Sequence, residues 1–422
     1  MFPSPLTADR RIQVNGPREV LAQRFSEVRA RSLALAAPFS AEDQCIQSMP
    51  DTSPMKWHLA HGSWFFEAVV LRAQLPGYRA FDERFFHLFN SYYEALGTRH
   101  PRPLRGLLTR PTLARVHAYR AHVDAAVQNL VATCDDGVWQ QAMPLLTLGL
   151  HHEQQHQELM LTDILHALSC NPLLPAGLPA AGSSHRAALR VAPASVPLRW
   201  LAGPTGAVMV GHDGNGFAFD NETPRHEVLL APYRIADRLV NCAEYLQFVE
   251  DGGYRHPELW LSDGWAAVQA NGWSCPPYWL APGDDRAPAG HWQVFGLHGV
   301  RALDPLAPVS QVSFYEAAAY AEWAQARLPT EFEWEAACAM PGITQMTEQV
   351  WQWTRSSYDP YPGFRPLSGA VGEYNGKFMV GQLVLRGGSS ATSAGHTRPS
   401  YRNFFPPGAR WQFSGIRLAR DA

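Results

Sequence analysis

The stretch HHEQQHQELMLTDILHAL, from His151 to Leu168, constrains this chain more than any other. It contains the pattern H-E-x-x-H. On a helix, His152 and His156 stand one above the other on one face. Met160, Asp163 and Ile164 continue that face, which is the one expected to turn toward a core. Imidazoles pointing inward are costly unless hydrogen bonds or a metal satisfy them. A third imidazole comes from KWHLAHGSWFFE. His61 shares a face there with Trp57, Trp64 and Ala68, and His58, one turn back, is its rival. Three neutral imidazoles on one side of a metal leave the opposite positions open to substrates, which suits iron, copper or zinc.

A zinc protease would use Glu153 as general base and take a third ligand downstream. The extended signature needs Gly at 159 and His at 162, where this chain has Leu159 and Thr162. No glutamate lies between Glu158 and Glu222 to act as the alternative ligand. A third ligand must therefore come from elsewhere in the chain, and His61 upstream is the natural supplier.

Helical spacing recurs from Gly16 to Ala36, Pro54 to Leu75 and Thr112 to Cys134; with the opening stretch these predict an up-and-down four-helix bundle. The long connection FNSYYEALGTRHPRPLRGLLTRP is rich in Pro, Arg and Tyr, as functional loops often are. Residues 171–197 are loaded with Pro, Ala, Gly and Ser and read as a linker. Beyond Leu198, short apolar runs such as GAVMVG, HEVLLAPYRIA, MVGQLVLRGG and FSGIRLAR alternate with turn residues. Helical pieces interrupt them at Asn241 to Glu250 and Ser313 to Gln325. The expectation is an α+β chain of two domains: a helical bundle over 1–170, a linker over 171–197, and a loop-rich domain of short strands over 198–422.

Composition sets the remaining bounds. The 422 residues suit two domains, and 46% hydrophobic with 17% charged residues is globular. A net charge of −3 favours neither nucleic acid nor membrane as partner. Lysine occurs only at Lys56 and Lys377, so arginine abundance reflects overall usage and only individual arginines count as anion binders. The start, MFPSPLTADRR, shows no apolar core of signal-peptide length, and no apolar run is long enough to span a bilayer. The six cysteines form no CxxC pair, which fits a reduced, cytoplasmic protein.

The segments WHLAH, FNSYYEALGTRHPRPLRGLL and HEQQH together resemble the DinB-like iron-binding domain of ergothioneine-type sulfoxide synthases. FDNETPRHEV, EYLQFVEDGGY, VWQWTRSSYDPYPGF, LRGGSSAT and YRNFFPPGARWQFSGIRLARD are similar to the domain fused to it, which is related to formylglycine-generating enzyme and has a C-type-lectin-like fold. The resemblance implies mononuclear nonheme Fe(II) held by His61, His152 and His156, with O2 as co-substrate. It implies two small-molecule partners: hercynine, a histidine betaine, and a thiol, cysteine or γ-glutamylcysteine, joined at the imidazole carbon as a sulfoxide. Gln155 resembles the glutamine that contacts the substrate imidazole. Tyr92 and Tyr93 resemble a tyrosine pair that gives a proton and an electron during oxygen reduction, with Tyr93 preferred. Arg99, Arg102 and Arg105 are the candidates for the thiol donor's carboxylate. Asn403 and Phe404 align with residues that grip the betaine, where an aromatic face attracts a quaternary ammonium.

LVNCAEYL and RGGSSAT depart from the family's usual forms and leave the donor open. A selenoneine synthase, forming a C–Se bond from a selenosugar, is the alternative within the family. A DinB-like zinc hydrolase or thiol transferase is the alternative outside it, and a binding module on a scaffold bundle is a third.

Overall fold

The computed structural model describes residues 16–179 and 197–422. Residues 1–15, where the chain was read for a leader, and 180–196, most of the expected linker, lie outside the described residues.

The helical half runs α1 (Pro17–Ala36), α2 (Met55–Phe65), α3 (Arg72–Gln74), α4 (Phe85–Leu88), α5 (Leu113–Thr133) and α6 (Asp136–Ser169). The four long helices α1, α2, α5 and α6 pack against one another as the expected bundle. α2 continues through a π-helical segment, Phe66–Leu71, into α3. α6 is longer than its histidine stretch suggests. It starts at Asp136, where the Asp135 side chain accepts from the Val138 amide at 2.9 Å. Pro144 lies inside it, a residue that cannot donate to the helix ladder and usually argues against one.

α2 and α6 approach closely because Gly149 has no side chain. A Cβ there would lie 2.5 Å from the Phe66 ring. One turn further, an ionic knot fixes the bundle. Glu153 accepts from Ser32 at 2.6 Å, Arg29 at 2.7 Å and Arg120 at 2.9 Å. Arg29 also reaches Asp124 and Ser63, each at 2.6 Å, and Arg120 donates to the Leu59 carbonyl at 2.8 Å. All four long helices are tied by one carboxylate and two guanidiniums. Burial opposes ionisation of Glu153, but the two arginines outweigh it and hold its pKa down to about 2.

The second half contains β1 (Trp200–Ala202), β2 (Gly206–Val210), β3 (His226–Leu230), β4 (Tyr233–Ala236), α7 (Cys242–Glu250) and α8 (Ser262–Asn271). Then follow β5 (Trp279–Leu280), β6 (Gln293–Gly296), β7 (Gly299–Ala302), α9 (Phe314–Trp323) and α10 (Glu331–Ala337). β8 (Trp351–Ser357), β9 (Leu383–Arg386), β10 (Asn403–Phe405), β11 (Ser414–Gly415) and β12 (Ala419–Asp421) complete it. The strands form small sheets: β1-β4-β12, β10-β9-β8-β11, β2-β3 and β5-β6-β7.

The four-stranded sheet matters most for the site. β10 pairs antiparallel with β9, setting Asn403 opposite Leu385 and Phe404 opposite Val384. Its approach is fixed by Glu331, which accepts from Arg386 at 2.8 Å and from Arg402 at 2.8 and 2.9 Å. The described start of the linker is docked on this half: the amides of Gly177 and Leu178 donate to the Leu297 carbonyl at 2.9 and 2.8 Å. Buried apolar side chains of both halves join in one continuous cluster. No helix among the described residues is long and apolar enough to cross a membrane.

Glu153→Gln removes the anion from a buried knot and leaves Arg120 without a carboxylate partner. Breaking such a pair costs about 3–5 kcal/mol. Urea unfolding of the full chain, followed by helical circular dichroism, should show a loss of that size; an unchanged midpoint would contradict the knot's role.

Candidate metal centre

The i,i+4 spacing on α6 places His152 and His156 on the face turned to α2, and the Gly149 approach brings His61 against them. His61 Nε2 and His156 Nε2 each lie 3.1 Å from His152 Nε2, and one ligand atom from each ring lies within 4.8 Å of the others. The structure thus brings His61, not its rival His58, into the cluster. Indoles flank the His61 ring, with Trp57 stacked at 4.6 Å and Trp64 at 5.4 Å, while Phe65 stacks on His152 at 4.5 Å.

Hydrogen bonds on the far sides of the rings assign the tautomers. His61 Nδ1 donates to the Phe89 carbonyl at 2.6 Å, which leaves Nε2 with a free lone pair. His58 Nε2 lies 3.0 Å from the Asp163 carboxylate, and its Nδ1 lies 2.8 Å from His156 Nδ1. The carboxylate can only accept, so His58 donates to Asp163 and accepts from His156. His156 Nε2 is therefore also a lone pair. Burial, reinforced by the neighbouring rings, holds His61 and His156 well below the usual imidazole pKa, and burial brings His152 to about 3. Two lone pairs consequently face one more buried imidazole, whose own Nδ1 has no partner among the described residues. A cation coordinated by all three satisfies this arrangement, and neutral nitrogen donors suit a divalent transition metal. Glu153 takes no part, since both its oxygens are held by Arg29, Ser32 and Arg120. This removes the general base that a zinc protease requires.

The cluster opens on a cavity of about 380 Å³ between the two halves of the chain. Among the residues singled out from sequence, His152, His156, Tyr92, Arg99, Arg102, Arg105, Gln155, Asn403 and Phe404 line it. His61 and Tyr93 are not in the wall. Tyr93 is fully buried, packed against Trp64 and Phe65 and stacked on Tyr92 at 4.7 Å. Burial pushes the phenol pKa of both tyrosines up, so both stay protonated.

The arginines form a positive rim. Arg105 stacks on Trp57 with its guanidinium 3.5 Å from the ring centroid and donates to Ser53 at 2.9 Å. Burial, then the charges of Arg102 and Arg99, bring its pKa down to about 8. Arg99 pairs with Glu94 at 3.1 Å, while Arg102 donates to the Asp51 carbonyl. Neither Arg102 nor Arg105 has a carboxylate partner among the described residues. On the opposite wall Phe404 stacks on Tyr358 at 4.1 Å, and the Asn403 side chain accepts from the Phe404 amide at 2.9 Å.

Sequence reasoning missed the residues that hold this wall in place. Gln155 donates to the Tyr401 hydroxyl at 2.6 Å and accepts from the Tyr374 hydroxyl. Tyr374 also packs edge-on to His152 at 5.7 Å. Glu158 accepts from Trp351 at 2.8 Å and from Ser389 and Thr392 at 2.6 Å. Asp163 was visible on the histidine face; Tyr374 and Tyr401 sit in irregular chain with no periodicity to mark them.

Residues 24–160 match the DinB superfamily, and residues 199–342 and 339–422 match the sulfatase-modifying factor enzyme 1-like domain. The chain is 33% identical to a hercynine oxygenase of Mycolicibacterium smegmatis, over 96% of this chain and 99% of the relative. It is also 33% identical to a hercynine oxygenase of Mycobacterium tuberculosis, with the same coverage. A formylglycine-generating enzyme of Thermomonospora curvata is 34% identical over 37% of this chain and 53% of its own. Likeness over nearly the full length of both chains makes the family plain: this chain belongs to the hercynine oxygenases.

Proposed function

We propose that the protein is a nonheme Fe(II), O2-dependent enzyme. It joins the sulfur of cysteine or γ-glutamylcysteine to the imidazole carbon between the ring nitrogens of hercynine, as a sulfoxide. The observation that carries this reading is the buried cluster of His61, His152 and His156, with lone pairs converging beside an interdomain cavity, in a chain with full-length hercynine oxygenase relatives. The balance is one thiol S–H and one imidazole C–H lost, one C–S bond and one S=O formed, and one O2 consumed with water released.

Iron bound by the three histidines would bind O2 and pass to it the four electrons that the thiol and hercynine give up. The chain's own residues do the rest. Gln155, clamped by Tyr374 and Tyr401, keeps one amide hydrogen and one lone pair in a fixed orientation for the substrate imidazole. Arg102 and Arg105, which have no acid partner among the described residues, take the donor's carboxylate through charge-assisted bonds. Phe404, held against Tyr358, offers its face to the trimethylammonium group, worth roughly 0.5–2 kcal/mol. Tyr92 and Tyr93 hold phenolic protons for oxygen reduction. Tyr92 lines the cavity while Tyr93 lies behind it, which favours Tyr92 as the donor.

The decisive experiment is anaerobic Fe(II) loading, then O2 with hercynine and each donor in turn, with products read by mass. Sulfoxide with a thiol is expected. If only a selenosugar reacts, the donor assignment fails. If hercynine is never consumed, or zinc supports the activity without O2 uptake, the enzyme assignment fails.

Asp163→Asn weakens the carboxylate that orients His58 and, through it, His156. Loss of such a supporting partner costs about 10–100-fold in metal affinity, measurable by chelator competition with no turnover involved. Arg102→Gln should raise the KM for the thiol donor about 10-fold or more, given the ~1.5–3 kcal/mol of a charged hydrogen bond, and leave the KM for hercynine unchanged.

A further inference from the structure

On the far side of α6 from the metal centre lies a second, larger cavity of about 870 Å³. It is walled by α1, α6 and residues 390–398, and nothing in the proposed reaction uses it. We propose that it binds a small oxyanion-bearing molecule, a phosphate or polycarboxylate.

Its charge is unbalanced. Arg24, Arg31 and Arg398 line it against the single carboxylate of Glu27. Arg398 is spent on Glu222, to which its Nε donates at 2.7 Å. Arg24 has no acid partner among the described residues; its guanidinium contacts His151 Nε2 at 2.9 Å. Arg31 is exposed and makes no ion pair among the described residues. Two guanidiniums thus face the cavity with charge to give, one of them half-buried where solvent screens it less.

A second observation is independent of charge. Gln154 is only 6% exposed, lines the cavity, and its side-chain oxygen has no hydrogen-bond partner among the described residues. A buried amide left unsatisfied is costly, and native proteins rarely leave one without a role. Its two ends differ only by rotation of the amide, so it can present either oxygen or NH2 to a ligand. Ser390 and Thr397 add hydroxyls to the wall, and Phe217, stacked flat on His151 at 3.9 Å, gives it an apolar floor. Guanidinium forks, hydroxyls and an amide around a cavity of this size suit an oxyanion carried on a small organic body.

The proposal stands apart from the reaction assigned above, because it requires no metal and no turnover. Its test is calorimetric titration of the full-length protein with inorganic phosphate and with citrate. Because the rim of the metal cavity is also cationic, two double variants are compared. Binding of at least one probe at millimolar concentration or tighter is expected. It should weaken about 10-fold or more in R24Q/R31Q, weaken also in Gln154→Leu, and persist in R99Q/R102Q. No binding of either probe overturns the proposal. So does binding that survives R24Q/R31Q and Gln154→Leu, or that disappears only in R99Q/R102Q. Circular dichroism verifies that each variant is folded.

Discussion

His61 donates its Nδ1 hydrogen to the Phe89 carbonyl, and Asp163, through His58, draws the hydrogen of His156 to its outer nitrogen. These contacts point away from the cluster, yet they decide what it is. Had the hydrogens sat on the inner nitrogens, three rings at this separation would repel one another and no ion could enter. With those of His61 and His156 fixed outside, their inner lone pairs converge on His152, and burial keeps the rings neutral enough to remain donors. The rest of the architecture serves that alignment. The missing side chain of Gly149 lets α2 reach α6, the Glu153 knot locks the four helices in register, and the indoles of Trp57 and Trp64 hold His61 from both faces.

The bundle supplies the donors, but the second half supplies the room beside them. Gln155 is the hinge between the two roles, since it sits on the histidine helix yet both ends of its amide are held by tyrosines from beyond residue 370. Glu158 does the same job with a charge. It is buried and met by three neutral donors from the second half, and burial pushes its pKa up. A carboxylate in that position would be expensive in a bundle standing alone with its seam dry. The seam is therefore polar at its centre and apolar around it, which fixes orientation as well as contact.

Much of this was legible in the sequence for identifiable reasons. The spacing of His152 and His156 marks a helix face directly, and Gly16 to Ala36 and Thr112 to Cys134 carry ordinary helical periodicity that the structure reproduces within a residue or so. GAVMVG and HEVLLAPYRIA became β2, β3 and β4 because alternation and turn residues bracket them. The first half of α6 was hidden by Pro144, which signals interruption while the surrounding residues keep the helix going. α10 was hidden by its shortness, although Thr330 and Glu333 form a capping box at its start. The choice between His58 and His61 needed ring orientation, which spacing alone does not carry. Tyr374 reaches the site from irregular chain, so only the tertiary fold could find it, while Tyr401 opens the YRNFFPP segment that the resemblance marks, though its contact with Gln155 is visible only in the fold.

β10 and Tyr401 lie within the final stretch of the chain, while the three histidines lie within its first half. During synthesis the donor rings are thus available long before the chamber beside them has walls. The cavity beside the rings is enclosed only when the last strands lie over α6. The order of the polypeptide thus puts the donor rings on an earlier-made element than the strands that wall them in.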